Sequence, residues 1–202
     1  MGGSLWLESN PVLPAIDGFG SVSAVGGNLV LNNNPLVQHV NGLVALGSVG
    51  NFLVVENNDQ LQDLDGLAGI SGFLPAGLWL DGNAQLEDLD GLAGITGVGG
   101  FLSVNDNDSL ENVDGLVNVG SVGDLLRVTT NQLLVDVDGL AGVTSVGTDL
   151  RVEANPSLLD LDGLSGVGAV GGKLVIGFNP VLQGLGGLGS LTTVGDDVIV
   201  LD

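Results

Sequence analysis

The sequence predicts an all-β fold, a parallel β-solenoid built from stacked repeats of about 24 residues. The segment 78–101, LWLDGNAQLEDLDGLAGITGVGGF, follows a pattern L-x-[VIL]-x-x-N-x-x-L-x-x-[VIL]-D-G-L that recurs along the chain. Within each repeat the apolar residues return at steps of two and three, and no helical period of about 3.6 competes with them. Such a unit cannot bury its own apolar face, so it needs neighbours above and below.

The leading apolar residue of the repeat fixes the organisation of the chain. It recurs every 24 residues apart from one step of 25, at Leu5, Leu29, Leu53, Leu78, Leu102, Leu126, Leu150, Leu174 and Val198. This spacing predicts eight coils and a closing strand, and therefore one solenoid domain over residues 1–202. Met1–Ser4 already occupies the end of a repeat and no signal peptide precedes it, so we expect a fragment or an uncapped array.

Each repeat begins with a short strand whose first and third residues point inward, as in Leu102-Ser103-Val104. The middle residue is then expected to face water. Three residues after the strand every repeat has an asparagine. We expect these side chains to point inward and bond the backbone of adjacent coils as a structural ladder, at Asn10, Asn34, Asn58, Asn83, Asn107, Asn131, Asn155 and Asn179.

The second segment of the repeat ends in Asp-Gly-Leu and the third ends in Val-Gly. Glycine tolerates a positive φ, so both places are predicted to be corners of the coil. Together the three segments supply seven inward apolar positions per repeat, which would form a continuous core. The exceptional step of 25 residues includes Phe73-Leu74-Pro75-Ala76-Gly77, with Leu in place of the usual Gly. We expect Pro75 to distort one corner and leave the stack intact.

Composition excludes several classes of function. The formal net charge is −21, from 24 acidic residues against Arg127, Arg151 and Lys173. Such a surface repels nucleic acid and anionic lipid, which bind clustered Lys and Arg. The chain has no cysteine, so disulfides and thiolate metal sites are excluded. The uncharged run 176–195 is interrupted by polar residues and glycines, so membrane insertion is not expected.

The run Val170-Gly171-Gly172-Lys173-Leu174-Val175-Ile176-Gly177-Phe178-Asn179-Pro180-Val181-Leu182 resembles the leucine-rich-repeat-like receptor L domains and related repeats of microbial surface proteins. The likeness covers nearly the whole chain, but this chain lacks the cysteines of receptor L domains and is more regular. The resemblance implies a right-handed β-solenoid displayed at the cell surface or outside cells. It says little about the ligand, because function does not follow from fold.

Stacking turns each outward position into a column that a partner can touch. The first column reads Trp6, Val30, Val54, Trp79, Ser103, Arg127, Arg151, Val175 and Ile199, and the polar column beside it includes Glu8, Asn32 and Glu56. An aromatic ring flanked by polar groups predicts a surface for a glycan or a protein. The candidate ligand-binding residues are Trp79, Asp81, Asn105, Arg127, Arg151 and Glu153. The alternative is that the charged members only screen one another as solvated ion pairs.

A second outward column is acidic and is joined by Asp17 and Asn41. Its main members are Asp63, Asp65, Asp88, Asp90, Asp114, Asp136, Asp138, Asp160 and Asp162. Carboxylates about 4.8 Å apart repel by roughly 0.9 kcal/mol per pair in water, so something should offset them. The Asp before Gly accepting backbone N–H groups in an Asx-turn is one explanation, and weak Ca²⁺ binding is the other. No other cofactor is expected.

Enzymatic activity is not expected. His39 is the only histidine, it stands where other repeats have an outward Asp, and no nucleophile and base can be assembled around it. The first hypothesis is therefore a non-enzymatic extracellular structural or adhesive protein that self-associates head to tail into fibres through its open strand edges. The second is a module that binds a glycan or protein, and the third is a Ca²⁺-stabilised surface protein.

Overall fold

The computed structural model describes all 202 residues, Met1–Asp202, and consists of short strands joined by tight turns. The strands are β1 Leu5–Glu8, β2 Ala24–Val25, β3 Leu29–Asn32, β4 Ser48–Val49, β5 Phe52–Glu56, β6 Gly72–Leu74, β7 Gly77–Asp81, β8 Ile95–Val98, β9 Phe101–Asn105, β10 Leu126–Thr129, β11 Ser145–Val146, β12 Leu150–Glu153, β13 Ala169–Val170, β14 Leu174–Gly177, β15 Thr193–Val194 and β16 Val198–Val200. Seven single-turn 3₁₀ helices lie between them, at Asn41–Leu43, Asp65–Leu67, Asp90–Leu92, Asp114–Leu116, Asp138–Leu140, Asp162–Leu164 and Gly186–Leu188.

One nine-stranded parallel sheet runs the length of the molecule, in the order β1-β3-β5-β7-β9-β10-β12-β14-β16. Its register follows the repeat, so that Leu126 pairs with Leu102 on one side and with Leu150 on the other. Three small parallel sheets collect the third segments of the repeats. The predicted parallel β-solenoid architecture is therefore confirmed, because residues one repeat apart become direct neighbours.

The core is a single apolar column enclosed by the three segments of the repeat. All seven expected inward positions of the repeat that starts at Leu102 are at most 1% exposed: Leu102, Val104, Leu110, Val113, Leu116, Val119 and Val122. Forty-seven buried hydrophobic residues form one cluster that extends through the repeats. At about 25 cal/mol per Å² of buried apolar surface, this column is the main stabilising term of the fold.

The asparagine ladder lies along one edge of this core. Asn83 is fully buried, and its backbone N–H and its Nδ2 both donate to Oδ1 of Asn107, at 3.2 and 3.1 Å. The same Nδ2 donates at 2.9 Å to the carbonyl of Val55 in the preceding repeat. Its Oδ1 accepts both N–H groups of Asn58. Each asparagine thus satisfies its own polar groups and those of its neighbours, which a buried amide requires.

The expected corner at Asp-Gly-Leu is a 3₁₀ turn, and the reason for its glycine differs from the sequence prediction. Only Gly72 and Gly82 have a positive φ among the glycines, so the positive-φ explanation for both glycine corners is wrong. A Cβ at Gly139 would overlap the carbonyl of Val113 in the preceding repeat, and one at Gly147 would overlap the carbonyl of Gly123. These glycines are required because successive backbones touch there.

The left-handed conformation occurs instead directly before each ladder asparagine, mostly in residues other than glycine. The residues are Ser9, Asn33, Asn57, Asp106, Thr130, Ala154 and Phe178, with φ between 53° and 60°, and Gly82 fills the same position with a φ of 67°. A side chain with Cβ is unfavourable there by a kcal/mol or more, roughly, unless the surroundings fix the turn. The hydrogen bonds of the asparagine ladder fix this turn, so residues of several types occupy the position before the asparagine. The sequence therefore does not reveal that the position is left-handed.

The 25-residue step produces the distortion that was expected. The register between β6 and β8 shifts between Gly72 and Phe73, while β7 keeps regular pairing with β5 and β9. Leu74 pairs with Val98, so Leu74 occupies the valine position of the Val-Gly corner and Pro75 the glycine position. The sequence-based expectation that Leu74 replaces the glycine was therefore wrong. Proline has no N–H, so this corner lacks the hydrogen bond that Gly99 makes to the carbonyl of Leu74 at 2.8 Å.

No helix in the structure reaches the length and hydrophobicity that crossing a lipid bilayer would demand.

Candidate ligand-binding groove on the outer sheet

The outward column of the nine-stranded sheet is not uniformly solvated, which corrects the expectation that every middle residue faces water. Trp6 is 54% exposed, but Val30 and Val175 are each 4% exposed and Ser103 is 3% exposed. These residues occupy equivalent positions in the sheet register, so the difference in their exposure is caused by the side chains around them. A second apolar layer therefore covers part of the outer face.

The centre of this layer is an aromatic cluster of Phe52, Trp79 and Phe101. Phe52 and Phe101 lie on either side of Gly77 in the sheet, and their rings stack with centroids 5.4 Å apart. A Cβ at Gly77 would approach Phe52 Cε1 to 3.0 Å, so the missing side chain is what lets the two rings meet. Trp79 packs edge-on against Phe101, with centroids 5.2 Å apart and planes at 86°.

Sequence analysis did not select Phe52 or Phe101. The signal was present, because two phenylalanines occupy the same repeat position two repeats apart with a glycine between them. That position directly precedes the strand, however, and the predicted inward and outward alternation began only at the leading leucine.

Beside the cluster lies an open groove of about 300 Å³. Its lining consists of Trp6, Glu8, Asn28, Val30, Asn32, Phe52, Val54, Glu56 and Phe101. Val30 and Val54 are neighbours on adjacent strands and give the groove an apolar base. Glu8 and Glu56 lie two residues after Trp6 and Val54 in their strands. Residues two apart in a strand point to the same side of the sheet, so both carboxylates lie on the outward face. The groove therefore combines aromatic, aliphatic and anionic surfaces.

The predicted site centred on Trp79 is only partly assembled. Trp79 does not line the groove; its Nε1 donates to Asp81 Oδ2 at 3.2 Å, and its ring supports Phe101 from behind. Asp81 Oδ1 accepts from Asn105 Nδ2 at 2.6 Å. Asn105 Oδ1 in turn accepts from Arg127 Nη2 at 2.9 Å. Four of the predicted residues are thus brought together in one internal hydrogen-bonded chain.

Arg151 and Glu153, the other two predicted binding residues, lie apart from that chain. Arg151 Nη2 is 2.8 Å from Asp149 Oδ2, and Arg151 Nη1 is 3.9 Å from Glu153 Oε2. The backbone N–H of Lys173, followed by the side chain of Arg151, lowers the pKa of Asp149. For these residues the geometry matches the solvated ion pairs that were the alternative interpretation of the column.

The carboxylates of the groove have no such partners. Burial, the negative charge of Asp81 and that of Glu8, in that order, raise the pKa of Glu56 above its usual 4.5. Between the two glutamates, Asn32 donates to Glu8 Oε1 at 3.5 Å, and its own Oδ1 is buried without a hydrogen-bond partner. The groove therefore carries negative charge that the chain itself does not neutralise.

The acidic column lies along the 3₁₀ turns, and its hydrogen bonding differs in one respect from the Asx-turn prediction. The accepting carboxylate belongs to the first aspartate of each pair, as in Asp63 Oδ1, which accepts the N–H of Asp65 at 3.1 Å. The same bond occurs at Asp88, Asp136 and Asp160. The aspartate before glycine opens the 3₁₀ turn and leaves its carboxylate exposed, as at Asp90, Asp114, Asp138 and Asp162.

The structure does not gather these carboxylates into a metal-binding group. No set of three or more histidine, aspartate or glutamate side chains is placed to hold an ion. A second pocket, of about 460 Å³ and therefore larger than the groove, lies near this edge, and its lining is polar apart from Leu133. Like-charge crowding is evident at Asp138, whose pKa is raised by burial first and then by Asp136 and other neighbouring aspartates. The Ca²⁺ prediction therefore has no assembled set of ligands to rest on.

His39 lies in the column of first aspartates, as the repeat indicated. Its Nδ1 is 2.9 Å from Asp63 Oδ2 in the next repeat, and its side chain is 40% exposed. This contact is a surface ion pair or hydrogen bond of small energetic value.

Comparisons with protein-family models, with curated proteins and with solved structures found no match for the chain. The likeness to receptor L domains therefore stays a prediction from the repeat pattern. Functional inference depends on the groove and on the outer face of the sheet.

Proposed function

We propose that the protein is a non-enzymatic binding module whose ligand occupies the groove beside Phe52 and Phe101. The observation that carries this proposal is the groove itself, about 300 Å³, in which aromatic and aliphatic residues lie beside two glutamates. Pockets of about 300–1,000 Å³ with apolar walls and a few polar groups are the usual form of a ligand site. Trp6, at 54% exposure, adds an aromatic surface that no residue of the chain covers fully.

The wider setting of this proposal comes from the repeat pattern. A right-handed solenoid of eight coils, displayed at the cell surface or outside cells, is what the resemblance to L domains implies. In that setting the outer sheet is accessible to a protein or glycan partner, and the regular pairing of its strands holds the groove in shape without a ligand. Preorganisation of this kind reduces the entropic cost of binding.

The test is to fill the groove without changing the scaffold. Tryptophan already occurs in this column at Trp6 and Trp79, so Val54→Trp introduces a side chain that the repeat tolerates and that occupies the groove. The control is Ile199→Trp, in the same column six strands away, about 29 Å along the sheet.

Binding of the wild-type protein to peptide and glycan panels should reveal ligands whose affinity falls about tenfold or more in Val54→Trp, which is about 1.4 kcal/mol, and is unchanged in Ile199→Trp. Trp6→Ala should weaken the same ligands. If every ligand found binds both tryptophan variants equally, the groove is not the binding site and the proposal is rejected.

End-to-end association remains a second candidate because the last strand presents apolar surface. In the 202-residue polypeptide Val198 and Val200 are 58% and 54% exposed, whereas their partners Leu174 and Ile176 on β14 are each 1% exposed. We propose that a second copy covers this edge, since open strand edges pair with other strands. Sedimentation of the polypeptide at increasing concentration tests self-association, and a monomer at every concentration would exclude it.

A further inference from the structure

We propose that the ligand of the groove is the guanidinium group of an arginine side chain, presented by an extended basic segment of a partner protein. This inference rests on the proposed function, because it names the chemistry of the ligand for the same groove. It follows from three properties of the lining: unneutralised carboxylates, exposed aromatic rings and an apolar base.

The first property is an excess of hydrogen-bond acceptors. Glu8 and Glu56 only accept hydrogen bonds when they are ionised, and both line the groove. No arginine, lysine or histidine lines the groove. A ligand that contributes several N–H donors therefore matches this lining, whereas an anionic ligand is repelled.

The cations of the chain are committed elsewhere. Arg127 donates to Asn105 and Thr129, and Arg151 pairs with Asp149. Lys173 Nζ lies 3.3 Å from Asp197 Oδ2. All three belong to later repeats than the groove, so none of them neutralises Glu8 or Glu56.

The second property selects a planar cation over a compact one. A guanidinium stacks on aromatic faces and forks two or more N–H donors toward carboxylates, which an ammonium cannot do. Trp6 supplies an exposed face beside the stacked rings of Phe52 and Phe101, and Val30 and Val54 can cover the methylene stem of the side chain. Glu56 gains most, since its carboxylate is partly desolvated and faces Asp81 and Glu8.

The surroundings of the groove indicate the source of the cation. The groove is open along the sheet, and the polar column continues from Glu8 and Glu56 to Asp81, so a chain with further positive charge meets a row of acidic residues. The net charge of −21 also steers basic polypeptides toward this surface. The groove of about 300 Å³ has room for one arginine side chain, and the flanking basic residues would lie over the polar column.

The experiment uses three capped peptides of one neutral sequence that differ at a single central residue: arginine, lysine or citrulline. Citrulline keeps the planar shape and most N–H donors but has no charge. Calorimetric titration should give the highest affinity for the arginine peptide, with lysine weaker and citrulline weaker by about tenfold or more. Glu56→Gln should weaken the arginine peptide about tenfold, whereas the matched variant Glu153→Gln, at the same repeat position beside Arg151, should have no effect.

The outcomes separate this inference from the proposed function. Equal affinity for arginine and citrulline, both lost in Val54→Trp, would overturn the cation inference and leave the groove as a binding site. Tighter binding of spermidine than of the arginine peptide, with competition between them, would overturn the peptide source. If Val54→Trp retains the arginine affinity, that peptide binds outside the groove and the inference fails. Thermal unfolding of each variant, followed by circular dichroism, verifies that the scaffold is intact.

Discussion

The outer face of the nine-stranded sheet has two halves that differ in how their charges are satisfied. In the half formed by β1, β3 and β5, Glu8 and Glu56 lie beside exposed aromatic surface without a cation. In the half formed by β10 and β12, Arg127 and Arg151 are bonded to Asn105 and Asp149 of the same chain. The charged groups of one half therefore lack partners within the chain, whereas those of the other half are hydrogen-bonded or ion-paired within it.

The backbone cannot account for this difference, because the strands of both halves pair in the same register. Only the outward side chains change, and they do so without affecting the core. A stacked repeat thus separates two tasks: the inward positions hold the molecule together and the outward columns are free to diversify. The groove is informative because residues at equivalent repeat positions lack charge partners there and have them in the half formed by β10 and β12.

The largest expected effect comes from breaking the scaffold that both halves share. Gly139→Ala places a Cβ on the carbonyl of Val113, and neither backbone can move without disturbing its repeat. We expect a loss of about 3 kcal/mol or more in the free energy of unfolding, measured by urea denaturation. Gly18→Ala is the matched control at the same repeat position, where nothing lies within 4 Å of the new Cβ. Equal stability of the two variants would refute backbone contact as the reason for this glycine.

A smaller loss is expected from removing one member of the asparagine ladder. In Asn107→Ala, the N–H and Nδ2 of Asn83 lose their acceptor and the carbonyl of Leu80 loses a donor. Unsatisfied buried groups cost about 1–3 kcal/mol each, and partial relaxation should hold the total near 2–3 kcal/mol. Asn10→Ala, at a partly exposed position, should cost less than about 1 kcal/mol. If Asn10→Ala and Asn107→Ala lower the free energy of unfolding equally, burial does not determine how much each ladder asparagine contributes to stability.

The smallest effect concerns charge and sharpens the contrast between the halves. The pKa values of Glu56, Asp88, Asp106 and Asp138 are raised in the folded protein, with burial the first cause in each case. A raised folded pKa means that the group favours folding below its unfolded pKa and loses this contribution as the pH rises through the folded value. Stability should therefore increase when the pH falls from neutral toward the usual values of 4.5 and 3.8.

Asp149 acts in the opposite direction, because its lowered pKa gives a contribution that is lost only below its usual 3.8. Thermal unfolding across this pH range should thus show a maximum in mildly acidic buffer. Glu56→Gln should stabilise at neutral pH by less than about 1 kcal/mol and flatten the dependence, since the exposed pair energies are screened. Glu153→Gln should not stabilise, because its carboxylate lies near Arg151. A stability that falls steadily on acidification would contradict the crowding of carboxylates.

Several features followed directly from the repeat, and several did not. The inward leucines and valines and the asparagine ladder were predictable because each repeat places the same residue type at the same step. The glycines were located correctly but explained wrongly, since contact between successive backbones is visible only when the repeats are stacked. The predicted binding residues lie on the outer face of the sheet, where Trp79 packs against Phe101 and only Phe52 and Phe101, which were not predicted, line the groove beside it.

The sequence by itself determined the period, the parallel stacking and the composition of the core. It did so because identical spacing of apolar residues admits one arrangement in which every repeat covers the next. Only the tertiary structure decided which outward residues meet. The stacking of Phe52 on Phe101 across Gly77, and the pairing of Arg127 with Asn105, depend on side-chain directions between neighbouring strands. Those directions are set by local packing, which the one-dimensional pattern does not encode.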